Sequence, residues 1–197
     1  AYEPAHADEL AILMRHAFHH MQKPDGSAVW LRLSTRGLEQ PERNLDPAAV
    51  IAGAYWAVPP APGASFALAY QGALAPEALA AFDTIREDIP EAGLLAITSP
   101  DKLHTDWLAA RRKARAGFGA PSWIETLLAP LAPGAALVTL LDGHPAAHAW
   151  LGSVRGQKVV PLGVDRFGQA GDIPDLYREY GLDEAAILDA CAQALVS

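Results

Sequence analysis

Three short runs, "FALAY" (66–70), "LLAI" (94–97) and "ALVTLL" (136–141), are almost wholly apolar, and helix-like segments separate them. A strand with one face in water alternates apolar and polar residues. A strand that is apolar throughout is covered on both faces. Strands joined through helices run parallel and place those helices on the sheet faces. The runs therefore predict an α/β fold with a mostly parallel sheet between two helical layers. "KVVPLGV" (158–164) reads as the last strand, and "IAGAYWAV" (51–58) reads as an edge strand before the breaker "PPAPG".

The helices carry their own start signals. Pro76 opens one with Leu79, Phe82, Ile85 and Ile89 at helical spacing. Ser99 is placed as an N-cap with Pro100 in the first turn of a helix reaching about Arg115. Ser122 and Glu125 have capping-box spacing. Residues 145–154 read as a helix, and Asp183 caps a closing one. Ahead of all these, Leu10, Leu13, Met14, Ala17, Phe18 and Met21 recur every three or four residues and predict a helix with one buried face. "PDG" (24–26) is a turn, and "AVWLRL" (28–33) reads as a strand. Residues 35–47 are polar and irregular, and are read as a linker and domain boundary.

The composition narrows the function classes. With 51% hydrophobic and 19% charged residues in 197, the chain has apolar surface for a core of its own. A net charge of −8 argues against general nucleic-acid binding. The one basic run, "ARRKAR" (110–115), reads as the solvated end of a helix whose dipole favours cations. A single cysteine, Cys191, allows no internal disulfide and fits a reducing cytoplasm. It sits among Ile187, Leu188 and Leu195 as a small buried hydrophobe. No apolar run has the length of a membrane span. The start "AYEPAHADEL" has no leader pattern and no Met, which points to a processed chain or a piece of a larger one.

Several residues could carry chemistry. His16 and His20 stand four apart on one helix, as do His144 and His148, the spacing of two metal ligands. No third ligand has an obvious position for either pair, so both read better as partly exposed helix histidines. Asp142, Gly143 and His144 follow a strand, at the carboxyl edge where open parallel sheets bind ligands. The plainer reading there is a glycine turn with a helix cap. "GVDRFGQAG" (163–171) could cradle a phosphate on backbone amides, but it lacks the Lys-Ser/Thr pair of a Walker loop. "GSVRG" (152–156) has the wrong spacing for a nucleophile elbow. Arg36, near the end of the 28–33 run, could grip a carboxylate or phosphate bidentately, and otherwise reads as an exposed loop arginine.

Longer motifs point to a family. "LGVDRFGQAGDIPDLYREYGLD" resembles the end of thiamine-diphosphate enzymes of the transketolase group, with Gly163, Val164, Asp165, Phe167 and Gly168 followed by Tyr180, Gly181 and Leu182. "YEPAHADELAILMRHAFHHM" with "VWLRLST" resembles the last helix and strand of that group's pyrimidine-binding domain. "GAYW" and "AITSPDKLHTDW" resemble in particular the homodimeric pyruvate dehydrogenase decarboxylating component. The resemblance implies residues 1–36 as a pyrimidine-domain tail, 37–50 as a linker and 51–197 as the C-terminal domain. That domain is a three-layer α/β/α unit on a five-stranded, mostly parallel sheet with one antiparallel edge strand.

The resemblance also says what is missing. The group holds thiamine diphosphate and magnesium with a Gly-Asp-Gly motif ending in asparagines. This chain has no Gly-Asp-Gly, and its one asparagine is Asn44. The glutamate that activates the cofactor lies upstream of the helix beginning near Asp8. No cofactor or metal is therefore expected in this chain; both belong to a parent enzyme. Its other thiamine-binding domains and a homodimer partner would be this chain's partners, with no nucleic acid or membrane involved. The chain reads as the C-terminal domain of a pyruvate-type 2-oxo acid dehydrogenase, supplying dimer contacts and part of a substrate entrance, inactive by itself. A transketolase acting on sugar phosphates, or a free-standing noncatalytic assembly or ligand-binding module, are the alternatives. Arg36, His104 and His144 are the candidate substrate contacts. The 161–183 loop is expected to be a structural corner. If Phe167 is buried there, Phe167→Ala should cost roughly 3–5 kcal/mol.

Overall fold

A computed structural model describes residues 1–168 and 170–196. Its five strands are β1 (Ala54–Val58), β2 (Ala64–Gln71), β3 (Gly93–Ile97), β4 (Leu131–Leu141) and β5 (Lys158–Leu162), in the spatial order β1-β3-β2-β4-β5. The last four are parallel, and β1 is an antiparallel edge paired with β3. The three apolar runs are the three interior strands β2, β3 and β4. Leu68, Leu94, Leu95, Leu137 and Val138 have no solvent exposure.

Two cores result, one on each face. Phe66, Leu68, Leu94 and Val138 point into the first, against α3 (Ala75–Asp88) and α9 (Glu184–Val196). Ala67, Ala69, Leu95 and Leu137 point into the second, against α4 (Pro100–Arg115) and α5 (Trp123–Leu127). The alternation along each strand is thus apolar to both sides, as a covered sheet requires. Alanine on the second face of β2 leaves room for Trp107 and Leu103 of α4.

The caps form as expected. Ser99 accepts from the Lys102 N–H, and Ser122 and Glu125 close a capping box. Asp183 accepts from the Ala186 N–H at the head of α9.

Four expectations need correction. First, residues 51–58 are not one strand: α2 (Pro47–Ala52) intrudes, with Asp46 accepting from the Ala48 N–H, and β1 starts only at Ala54. An Asp before a Pro is a helix start. Second, the run 28–33 forms a single parallel bridge between Tyr2 and Leu31 rather than a strand. Third, residues 145–154 are two short helices, α6 (Ala146–Ala149) and α7 (Gly152–Arg155). Fourth, the apolar positions of α1 (Ala7–Met21) do not form one buried face. Glu9, Leu13 and Ala17 are buried, whereas Met14, Phe18 and Met21 are exposed.

The 161–183 stretch runs from the end of β5 through a loop into α8 (Ile173–Glu179), and Phe167 does not seat it, being 98% exposed. Tyr180 donates its hydroxyl to the Phe167 carbonyl at 3.1 Å, and Leu182 is fully buried. Gln169, within the 163–171 glycine loop, lies outside the described residues, so the cradle considered there falls partly outside them. Phe167→Ala is accordingly expected to change the unfolding free energy by less than about 0.5 kcal/mol, read by urea denaturation.

Candidate functional site

The strand order fixes where a ligand crevice would open. The chain leaves β2 toward β3 over one face and leaves β4 toward β5 over the other. The gap between the carboxyl ends of β2 and β4 is therefore the topological switch point. Gln71 ends β2 there, and Asp142 follows β4.

The protein's own first residues cover this gap. The Glu3 N–H donates to the Thr98 carbonyl and the Tyr2 N–H to that of Trp30, and the Arg32 N–H donates to the Tyr2 carbonyl. Glu3, only 9% exposed, lies against Gly72, whose φ of +59° and missing Cβ permit the approach. The side chains then form a chain of polar contacts. Arg32 donates to Glu3 Oε1 at 2.7 Å and to the Asp142 carbonyl at 2.6 Å. Gln71 Nε2 donates to Glu3 Oε2 at 2.7 Å. His148 Nε2 lies 2.8 Å from Gln71 Oε1. An amide oxygen only accepts, so Nε2 carries the imidazole proton and Nδ1 is bare. Nδ1 is buried and has no hydrogen-bond partner among the described residues.

Burial sets the charges of this row. It pushes the His148 imidazole down to about 4, so the ring is neutral at pH 7. Burial also raises the Glu3 carboxyl above its usual range, against the lowering influence of Arg32 and Gln71. What remains open beside the row is a cavity of about 150 Å³ lined by Glu3, Arg32, Gln71 and Trp30, among others. Small-molecule sites usually enclose 300 Å³ or more.

A second buried polar cluster ties α1 to residue 43 and β1. Glu9, 1% exposed, accepts from the Ala5 and His6 N–H groups through Oε2 and from the Tyr55 hydroxyl through Oε1. Arg43 donates to the Tyr55 oxygen at 2.9 Å, to Asp8 and to Glu9. Desolvation, then the Glu9 charge, push the Tyr55 phenol well above its ordinary range.

The sequence candidates lie apart. Arg36 is held by Glu77 through two hydrogen bonds of 2.8 and 2.6 Å, by the Ala73 carbonyl at 3.0 Å, and over the Tyr177 ring. The Glu77 bonds raise its pKa further. His104 on α4 packs against Trp150 and Trp107, with ring centroids 4.8 and 5.9 Å away. His144 is exposed after β4, and its Nδ1 accepts from the Ala146 N–H as a local cap. The three share no hydrogen bond, ion pair or ring contact among the described residues.

The histidine pairs also separate. His148 is buried while His144 is exposed, so the reading of both as partly exposed helix residues fails for His148. His16 and His20 stack at 5.8 Å, and His20 Nε2 already accepts from the Ser27 N–H. Among the described residues no group of three or more His, Cys, Asp or Glu could hold a metal.

Glu3, Arg32 and Gln71 were not singled out in the sequence, and His148 was considered only for its metal-ligand spacing from His144. Gln71 ending an apolar strand and His148 among alanines and Trp150 were the available signals.

No family model matches the sequence, and no curated protein does. Solved structures do match in fold. An R525L transketolase from Pichia stipitis has a TM-score of 0.68 at 16% identity, over 99% of this chain and 25% of its own. A transketolase from Leishmania mexicana has the same score and coverage at 14% identity. A split-gene transketolase, described as an inactive beta4 tetramer, has a TM-score of 0.62 at 20% identity, over 99% of this chain and 57% of its own. The chain thus spans a quarter to rather more than half of these proteins. Its fold is that of the transketolase C-terminal domain.

Proposed function

We propose that this chain is the C-terminal part of a thiamine-diphosphate-dependent 2-oxo acid dehydrogenase of the pyruvate type, and that its own role is architectural. The carrying observation is the switch-point crevice. Where a sheet of this kind would take a ligand, the Glu3 and Arg32 side chains already lie, bonded to one another, to Gln71 and to the Asp142 carbonyl. The residues present do not fit thiamine diphosphate. A diphosphate and its magnesium need carboxylate and amide ligands around an open site. This chain has no Gly-Asp-Gly and only Asn44, and about 150 Å³ of space beside the row.

Under this reading residues 1–36 end a pyrimidine-binding domain, 37–50 are the linker and 51–197 the C-terminal domain. The parent's other domains would hold the cofactor, and a second subunit would complete a soluble dimer. A transketolase acting on sugar phosphates is the second reading, favoured by the names of the structural neighbours. Against it, the Arg36 guanidinium is committed to Glu77 and so is not free to grip a phosphate. His104 and His144 would face a substrate entrance only in the assembled enzyme.

Titration calorimetry of the 197-residue chain with thiamine diphosphate and magnesium is expected to give no saturable heat. Micromolar binding would overturn the architectural role. The full gene product containing these residues is expected to release carbon dioxide from pyruvate when supplied with the cofactor. Ketol transfer from a sugar phosphate instead would establish the second reading, and a gene product of this length without either activity would establish a noncatalytic module.

A further inference from the structure

The last turns of α4 carry a concentration of positive charge in a protein of net charge −8. Arg111, Arg112, Lys113 and Arg115 are all exposed there, and none takes part in an ion pair among the described residues. Elsewhere Arg32, Arg36, Arg43, Arg166 and Arg178 are each paired with a carboxylate. Two nearby acids are engaged elsewhere. Asp106 accepts from the Trp123 N–H at 2.7 Å, and Glu125 is engaged with Ser122 in the capping box. The helix dipole accounts for a preference for cations at this end but supplies no anionic side chain to pair with them.

The patch is also shaped and partly pre-ordered. The Arg111 guanidinium lies 4.9 Å over the buried Trp107 ring. That contact lowers the entropy lost when the side chain is immobilised. Two shallow concavities flank it. One, of about 130 Å³, is lined by Leu108, Arg111, Arg112 and Arg115. The other, of about 230 Å³, is lined by residues that include Arg111, Ala114, Pro121 and Glu125, so the cationic side of the patch is the first of the two. Leu108 is 38% exposed, and Phe118 just beyond the helix is 77% exposed. Arginines beside exposed apolar side chains are the composition of a protein-binding patch rather than of a generic surface.

We propose that the α4 end, centred on Arg111, Arg112 and Arg115, is a docking surface for an acidic segment of a partner protein, one that also carries an apolar anchor. Charge complementarity selects the class. Four cations suffice for a short run of carboxylates, and the exposed Leu108 and Phe118 beside them match a protein segment with an apolar side chain. The proposal does not depend on the parent enzyme's activity.

A fluorescein-labelled twelve-residue peptide of alternating Glu and Leu is the probe, with a single-stranded DNA twelve-mer as comparison. Anisotropy at low salt is expected to show saturable peptide binding that weakens as salt rises. Arg112→Glu with Arg115→Glu is expected to weaken it at least tenfold. Arg15→Glu with Arg86→Glu, two exposed arginines elsewhere with no ion pair among the described residues, is expected to leave it unchanged. Circular dichroism of all variants checks that the exposed substitutions leave the fold intact. Absence of peptide binding at millimolar concentration, equal loss in both double variants, or tighter binding of the DNA would each overturn the proposal.

Discussion

Arg43→Met is expected to lower the unfolding free energy by about 3–5 kcal/mol, because it strips the cation from a carboxylate that water cannot reach. Glu9 is 1% exposed, and the Arg43 side chain itself is 18% exposed. Two backbone N–H groups and the Tyr55 hydroxyl would still reach Glu9, so the loss is a charge left without its counterion rather than an empty hydrogen-bond site. Adding Glu9→Gln to the Met variant removes that charge and is expected to recover part of the loss, a coupling that a double-mutant cycle measures. An exposed pair sets the scale. Arg166 and Glu179, with side chains 57% and 50% exposed, are expected to contribute less than about 1 kcal/mol, so Arg166→Met should unfold almost as the native protein does. Urea denaturation followed by far-ultraviolet circular dichroism distinguishes the cases. If the two arginine variants proved equally mild, the α1 cluster would have to be wet.

That cluster also shows where the sequence was readable. The covered sheet was plain in β2, β3 and β4, because burial on both faces demands apolar residues whatever the partner is. The caps at Ser99 and Ser122 were equally plain, since they depend on residues within one turn. The opening helix was half legible. Its period placed Leu13 and Ala17 inside, but a charged residue gives no hint of burial, and Glu9 is inside because Arg43, 34 positions away, meets it there. Residues 28–33 had the composition of a strand, yet a strand needs a neighbour, and here the neighbour is the single residue Tyr2. The crevice failed to show for the same reason. Glu3, Arg32, Gln71 and His148 are scattered over the chain, and only the side-by-side pairing of β2 and β4 gathers them. Arg36 was read as able to grip a substrate carboxylate or phosphate, and here its two hydrogen bonds go to Glu77 of the same chain, a partner 41 positions away that local sequence does not announce.

His148 should make the protein acid-sensitive in a defined window. Its folded pKa of about 4 lies below the ordinary histidine value of about 6.5. As pH falls below about 6.5 the unfolded chain takes up a proton that the folded chain refuses, so stability is lost progressively and the loss is complete near pH 4. The size follows from the shift, roughly 3 kcal/mol for a ring 1% exposed. Glu3 acts with the opposite sign. Its raised pKa means that the folded state holds a proton more tightly than the unfolded chain, a contribution present at low pH and lost as pH rises through the folded value. The two therefore partly cancel in the native protein, and His148→Leu separates them. At pH 7 the variant is expected to be less stable by about 1–3 kcal/mol, because Gln71 Oε1 loses its donor in a buried place. Toward pH 4 the gap should close and then reverse, since only the native protein bears the cost of refusing the proton. The difference between the two stability curves isolates this one ring, as every other titrating group is shared. Parallel curves from pH 7 to 4 would mean that His148 accepts its proton without strain, and the buried row at the switch point would then be open to water.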